Sequence, residues 1–126
     1  MTSVLLFDDS LYILKLLTVS IKKYDTDIQV FTSQTFEEAE AVLQSEKIDI
    51  VFIDLQVPGK NGADFIEYLK NDPGLSKIKR VILTETSKDS LLKTSLKKEV
   101  DAYLHKEDIF ENFQLVIDQL KPLRKE

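Results

Sequence analysis

Four stretches of the sequence place chemically capable side chains directly after apolar runs. LLFDDS ends on Asp8 and Asp9, VFIDLQVPGKNG carries Asp54, VILTETS carries Thr84, and DAYLHKED carries His105 and Lys106. Three carboxylates gathered at one point repel one another and call for a cation. Oxygen ligands without His or Cys favour a hard divalent ion, Mg²⁺ above all. A carboxylate supported in this way can attack a phosphoryl group and form an acyl phosphate, with the metal shielding and bridging the two. A threonine hydroxyl and a lysine ammonium can hold the other phosphoryl oxygens as charge-assisted partners. The chain has no Walker loop, dinucleotide glycine pattern or catalytic Ser–His–Asp set. These parts suit transient storage of a phosphoryl group better than turnover of a larger substrate.

Such chemistry requires elements that bring distant residues to one place. Five short apolar or β-branched runs recur, at Ser3–Phe7, Ile28–Thr32, Asp49–Ile53, Arg80–Leu83 and Ala102–Leu104. Several are continuously apolar, as in strands covered on both faces. Helix-period segments lie between them. Thr35 with Glu38, and Asp108 with Glu111, have capping-box spacing at helix starts. Ile109, Phe113, Val116, Ile117 and Leu120 form one apolar stripe, and Leu91, Leu92, Ser95 and Leu96 a weaker one. Strand and helix alternate five times, which predicts an α/β fold: a parallel sheet with helices on both faces. In such sheets sites form beyond the carboxyl ends of the strands. Four of the five strand ends deliver Asp8 and Asp9, Asp54, Thr84, or His105 and Lys106; the second is followed only by Ser33 and Gln34.

Composition narrows the alternatives. The 126 residues suit a single domain over 1–126, and 43% apolar content is enough for one core. Seventeen basic against twenty-two acidic residues give −5, which argues against a broad nucleic-acid face. The absence of Cys excludes disulfides and thiolate zinc sites and leans towards a reducing, cytoplasmic setting. The N-terminal apolar run is too short for a secretory signal, and no run reaches the length of a membrane span. The chain ends just after its last helical pattern, leaving no room for a second domain.

Together the four motifs, in this order and spacing, resemble the receiver domain of bacterial two-component response regulators over essentially the whole chain. The resemblance implies a flavodoxin-like (βα)5 fold with strand order 2-1-3-4-5. It makes Asp54 the phosphoacceptor and Asp8 and Asp9 the acidic pair, with Asp9 the preferred direct metal ligand. The backbone carbonyl of Gln56 becomes a further Mg²⁺ ligand, Thr84 and Lys106 the phosphoryl-binding residues, and Tyr103 the switch aromatic. Pro58 then fixes the loop beyond Asp54, and Gly62 lets the chain enter the third helix. The implied partners are a sensor histidine kinase or a histidine phosphotransfer protein upstream, and an unnamed protein downstream. That downstream protein would read the surface of the fourth helix, fifth strand and fifth helix. The implied state is a monomer or a phosphorylation-dependent dimer, with no enzyme activity beyond self-phosphorylation and self-dephosphorylation.

Each residue also has a plainer reading. Asp54 alone would cap a turn, and Asp8–Asp9 would cap the first helix, although Ser10 can do that unaided. Tyr103 reads equally as core, and His105 as a solvated strand-end residue. Tyr12, Phe31, Phe36, Phe65, Phe110 and Phe113 read as core or half-core. The sequence departs from the family's usual pattern at Val57, at Glu85 where a small residue is common, and at Glu107 where proline follows the lysine. Glu85 is therefore a candidate modulator of donor access. Three rivals stand beside a stand-alone receiver: a receiver cut from a longer regulator or hybrid kinase, a non-phosphorylated receiver-like scaffold, and a Mg²⁺-dependent phosphatase. Such phosphatases generally carry a second acid two residues after the nucleophile, where this chain has Gln56.

Overall fold

The computed structural model describes residues 2–54, 62–84 and 100–121. Five parallel strands, β1 (Ser3–Phe7), β2 (Gln29–Ser33), β3 (Ile50–Asp54), β4 (Lys79–Thr84) and β5 (Ala102–His105), form one sheet in the order β2-β1-β3-β4-β5. The helices among the described residues are α1 (Leu11–Tyr24), α2 (Phe36–Ser45), α3 (Gly62–Asn71) and α4 (Ile109–Leu120), the last entered through a 3-10 turn at Lys106–Asp108. This is the flavodoxin-like arrangement the sequence predicts. None of the described helices is long and apolar enough to cross a membrane. The weak stripe at Leu91–Leu96 lies outside the described residues, as do Gln56, Val57, Pro58 and Glu85.

Helices on both faces explain why β1 and β3 are buried throughout. Their side chains alternate between two cores. Leu5, Phe7, Val51 and Ile53 pack with α2 and α3 through Phe36, Leu43, Phe65 and Leu69. Val4, Leu6, Ile50 and Phe52 pack with α1 and α4 through Leu14, Leu17, Ile21, Phe113 and Ile117. Phe65 meets Phe7 edge-on at 4.9 Å between ring centres and Phe36 at 5.2 Å, an arrangement favoured by the ring quadrupoles. The α4 stripe is buried as its spacing requires, apart from half-buried Leu120. Two aromatic assignments fail: Tyr12 is 71% exposed and Phe110 40%. Both lie on the outer faces of their helices, beside buried neighbours at Leu14 and Ile109, so helical phase overrides their apolar character.

The two-residue period of a strand has a direct consequence for the site. Val4 and Leu6, Ile50 and Phe52, and Ala102 and Leu104 all face the α1/α4 core. One further step along each pattern reaches Asp8, Asp54 and Lys106. The pleat thus sends two acids and one base to the same side of the sheet, at the same edge.

The opposite edge uses its acids differently. Asp49 Oδ2 accepts from the Ser3 amide at 2.8 Å, and Asp101 Oδ2 accepts from the Arg80 amide at 2.8 Å. Those carboxylates close backbone donors that precede the ladder, a structural task.

Candidate functional site

The site is built first by the turn that leaves β1. Asp8 is fully buried, and its Oδ1 accepts from the Ser10 amide at 2.9 Å. Ser10 in turn caps α1, its hydroxyl accepting from the Ile13 amide at 3.3 Å. Helix capping is therefore accomplished without Asp9, which stays exposed, and without Asp8 Oδ2. Asp54 ends β3 at 3% exposure. Register places β4 beside β3, with Asp54 opposite Leu83, and pairs Thr84 with His105, the residue before Lys106.

Lys106 closes the constellation. Its ammonium lies 2.9 Å from Asp8 Oδ2 and 3.3 Å from Asp54 Oδ2. One carboxylate oxygen from each of Asp8, Asp9 and Asp54 falls within 4.8 Å of the others. The buried Asp8 Oδ2 has no partner in hydrogen-bond geometry, although the ammonium is close enough for an ion pair. That oxygen's charge partner is the Lys106 ammonium, in a cluster that carries more negative than positive charge.

The electrostatics follow from burial. Removal from water pushes the Asp8 carboxyl up to about 6, and the Asp54 charge adds to this; the Ser10 amide and Lys106 pull the other way. Burial by itself would lower the Lys106 ammonium. The close contact with Asp8 and the charges of Asp54 and Asp8 outweigh it, so Lys106 is held above the ordinary lysine value and stays a cation. Burial also raises the Tyr103 phenol. Tyr103 is half-buried and packs against the α2/α3 core. His105 is half-buried too, rather than freely solvated.

The structure therefore assembles Asp8, Asp9, Asp54 and Lys106 from three strand ends, with the Thr84 backbone beside them. Gly62 is the first residue of α3. Gln56, Pro58 and Glu85 lie outside the described residues, so their predicted roles rest on the sequence. One contact was not foreseen: Gln34 Nε2 donates to the Asp9 carbonyl at 3.2 Å, while the Asp8 amide donates to the Ser33 carbonyl at 3.1 Å. The signal for it was topological. Strand order 2-1-3 puts the end of β2 against the turn leaving β1, which composition after β2 does not reveal.

Comparison with known proteins bears on the whole chain. No curated protein matches the sequence. Among solved structures, the chemotaxis protein CheY4 of Vibrio cholerae superposes with a TM-score of 0.84 at 21% identity, covering 95% of this chain and 98% of that one. The Mn²⁺-bound form of response regulator Rcp1 gives 0.82 at 23% identity over 100% and 99%. The phosphorylated cyanobacterial phytochrome response regulator RcpA gives 0.81 at 21% over 97% and 99%. At such identities these likenesses establish the fold. The family model described as response regulator receiver domain matches residues 4–117, from the second residue of β1 to the last turns of α4. By that match the chain belongs to the response regulator receiver domain family.

Proposed function

We propose that this receiver stores a phosphoryl group on Asp54 and uses it to change a protein-binding surface. The observation that carries the reading is the bridging of Asp8 and Asp54 by one half-buried ammonium within a three-carboxylate cluster. A purely structural ion pair needs one acid for one base, and Ser10 caps α1 without Asp9.

The donor set fits Mg²⁺. It is oxygen-only, it includes a buried Asp8 oxygen that meets no hydrogen-bond geometry and has only the Lys106 ion pair, and exposed Asp9 leaves an open side for the waters that Mg²⁺ retains. Asp8, Asp9, Asp54 and the Gln56 carbonyl would hold the ion, which supplies charge neutralisation between two anions when bound. Asp54 Oδ attacks phosphorus of a phosphohistidine or of acetyl phosphate. The new O–P bond forms as the bond to the leaving imidazole or acetate breaks, and the leaving group keeps the electron pair. Lys106 and the Thr84 hydroxyl then bind phosphoryl oxygens. As Thr84 is drawn towards the phosphoryl group, Tyr103 turns inward and the surface of the predicted fourth helix (outside the described residues), β5 and the helix at Ile109–Leu120 changes. The manganese-bound and phosphorylated states of the two neighbours named above support both halves of this reading by analogy of fold.

Intact-mass measurement after mixing with acetyl phosphate and Mg²⁺ tests it. A single adduct of ~80 Da, one phosphoryl group, is expected for wild type and none for Asp54→Asn. An unmodified wild type, or an adduct that survives in Asp54→Asn, contradicts the assignment. Steady release of phosphate from many esters would instead favour the phosphatase.

A further inference from the structure

We infer that Gln34 is a positioning residue for the acidic pair, and that it ties metal affinity to the start of α2. This role rests on the metal-site reading above and extends it to the one strand end that seemed to contribute nothing.

The geometry is a short relay. Thr35 caps α2 by accepting from the Glu38 amide at 3.1 Å. The Glu38 carboxylate folds back, but to the Gln34 amide, at 2.7 Å, one residue ahead of the reciprocal capping-box bond. Gln34 is thereby held at its backbone, and its side-chain amide reaches across to the Asp9 carbonyl at 3.2 Å. That carbonyl accepts only, so the nitrogen of the amide must face it. Next door the Asp8 amide donates to the Ser33 carbonyl. Two consecutive residues at and just past the end of β2 therefore hold two consecutive residues, Asp8 by its amide and Asp9 by its carbonyl.

This grip matters because Asp9 is the member of the cluster with least other support. Asp8 is enclosed, and Asp54 is part of a ladder. Asp9 follows β1, lies outside α1, and is exposed. A carboxylate on an unrestrained turn would be ordered only when the cation binds, and that ordering would weaken the affinity. Gln34 orders it beforehand.

The test is Mg²⁺ titration calorimetry on the full chain, wild type against Gln34→Met and Glu38→Ala. Methionine keeps length and loses the donor. One solvent-accessible hydrogen bond corresponds to a weakening of Mg²⁺ binding by about three- to tenfold in Gln34→Met. Glu38→Ala should weaken it less, since it frees Gln34 without removing its amide. Metal-free melting of Gln34→Met should stay within about 2 °C of wild type, because the lost bond is at the surface. The acetyl phosphate reaction should slow in this variant at limiting Mg²⁺ and recover at saturating Mg²⁺. Affinity equal to wild type in Gln34→Met overturns the role. So does a loss of affinity matched by a large fall in metal-free melting temperature, which marks general loosening. A wild-type protein that binds no Mg²⁺ overturns the site reading itself, and this role with it.

Discussion

Replacing Asp8 by Asn should stabilise the metal-free protein while abolishing the proposed Mg²⁺ site. The carboxyl titrates near 6 in the fold against 3.8 for the free group, chiefly because burial penalises the anion. A shift of roughly two units at about 1.4 kcal/mol each makes the ionised group cost about 3 kcal/mol of folding free energy at pH 7. The Asn side chain can still accept the Ser10 amide bond, and Lys106 still has Asp54. The ionisation cost is therefore relieved without a new orphan at Oδ1, while the Nδ2 donor that replaces Oδ2 turns the ammonium towards Asp54 and takes back part of the gain. For a domain of this size about 1 kcal/mol moves the melting temperature by roughly 3–4 °C, so the variant should melt up to about 10 °C higher in chelator.

The sign of the pH dependence follows from the direction of the shift. The folded pKa is above the unfolded one, so the penalty is fully present above about 6 and fades as pH falls towards 3.8. The gap between variant and wild type should be up to about 3 kcal/mol at pH 7, roughly half that at pH 5, and about 0.5 at pH 4. Urea denaturation in chelator at these three values measures it. Saturating Mg²⁺ should then stabilise wild type alone, by about 2.7 kcal/mol at a hundred times the dissociation constant, nearly closing the gap. A variant less stable than wild type at pH 7, or a gap that ignores pH, would refute the claim that Asp8 is held ionised against its burial.

Lys106→Met should act in the opposite direction. It leaves Asp8 and Asp54 facing each other without their shared cation, which costs about 3 kcal/mol in chelator, the lower end for a broken buried pair because Asp8 can take up a proton. Millimolar Mg²⁺ should recover part of this loss; an equal loss with and without the metal contradicts a common site for ammonium and cation. Asp49→Ala, at the other edge of the sheet, frees the Ser3 amide and should cost about 1–3 kcal/mol by urea denaturation. Its phosphoryl uptake should match wild type, and a slowed reaction would mean that the two edges are not independent.

The legibility of this chain was uneven for physical reasons. The strands were readable because continuous burial selects Val, Ile, Leu and Phe, and each observed strand lies within about a residue of its predicted span. Asp8, Asp54 and Lys106 stood out because a charged group ending an apolar run is costly unless it has a partner. Tyr12 and Phe110 misled, since an aromatic ring announces burial only when helical phase agrees. Gln34 was not read: the expected strand order already put β2 next to β1, but a neutral amide carries no signal of its own. The backward bond of Glu38 was half visible: the Thr35–Glu38 spacing gave the cap, but not the residue that receives the carboxylate.

The placement of Lys106 joins the site's chemistry to the proposed change of surface. Three carboxylates against one ammonium leave the cluster near −2, a charge that a divalent cation would offset and that a phosphoryl group on Asp54 would make more negative by one unit. On that reading the ammonium, now shared between Asp8 and Asp54, gains a stronger competing anion each time Asp54 is modified. Lys106 is not at the tip of a free loop. It opens the 3-10 turn that runs into α4, whose first residue, Ile109, is fully buried against the α1/α4 core. A small displacement of the ammonium therefore cannot be absorbed locally. Close packing resists partial movement of Ile109, so the turn and the start of α4 must shift together or not at all. On the proposed function, one charge added to Asp54 would select between two discrete arrangements of the β5–α4 surface.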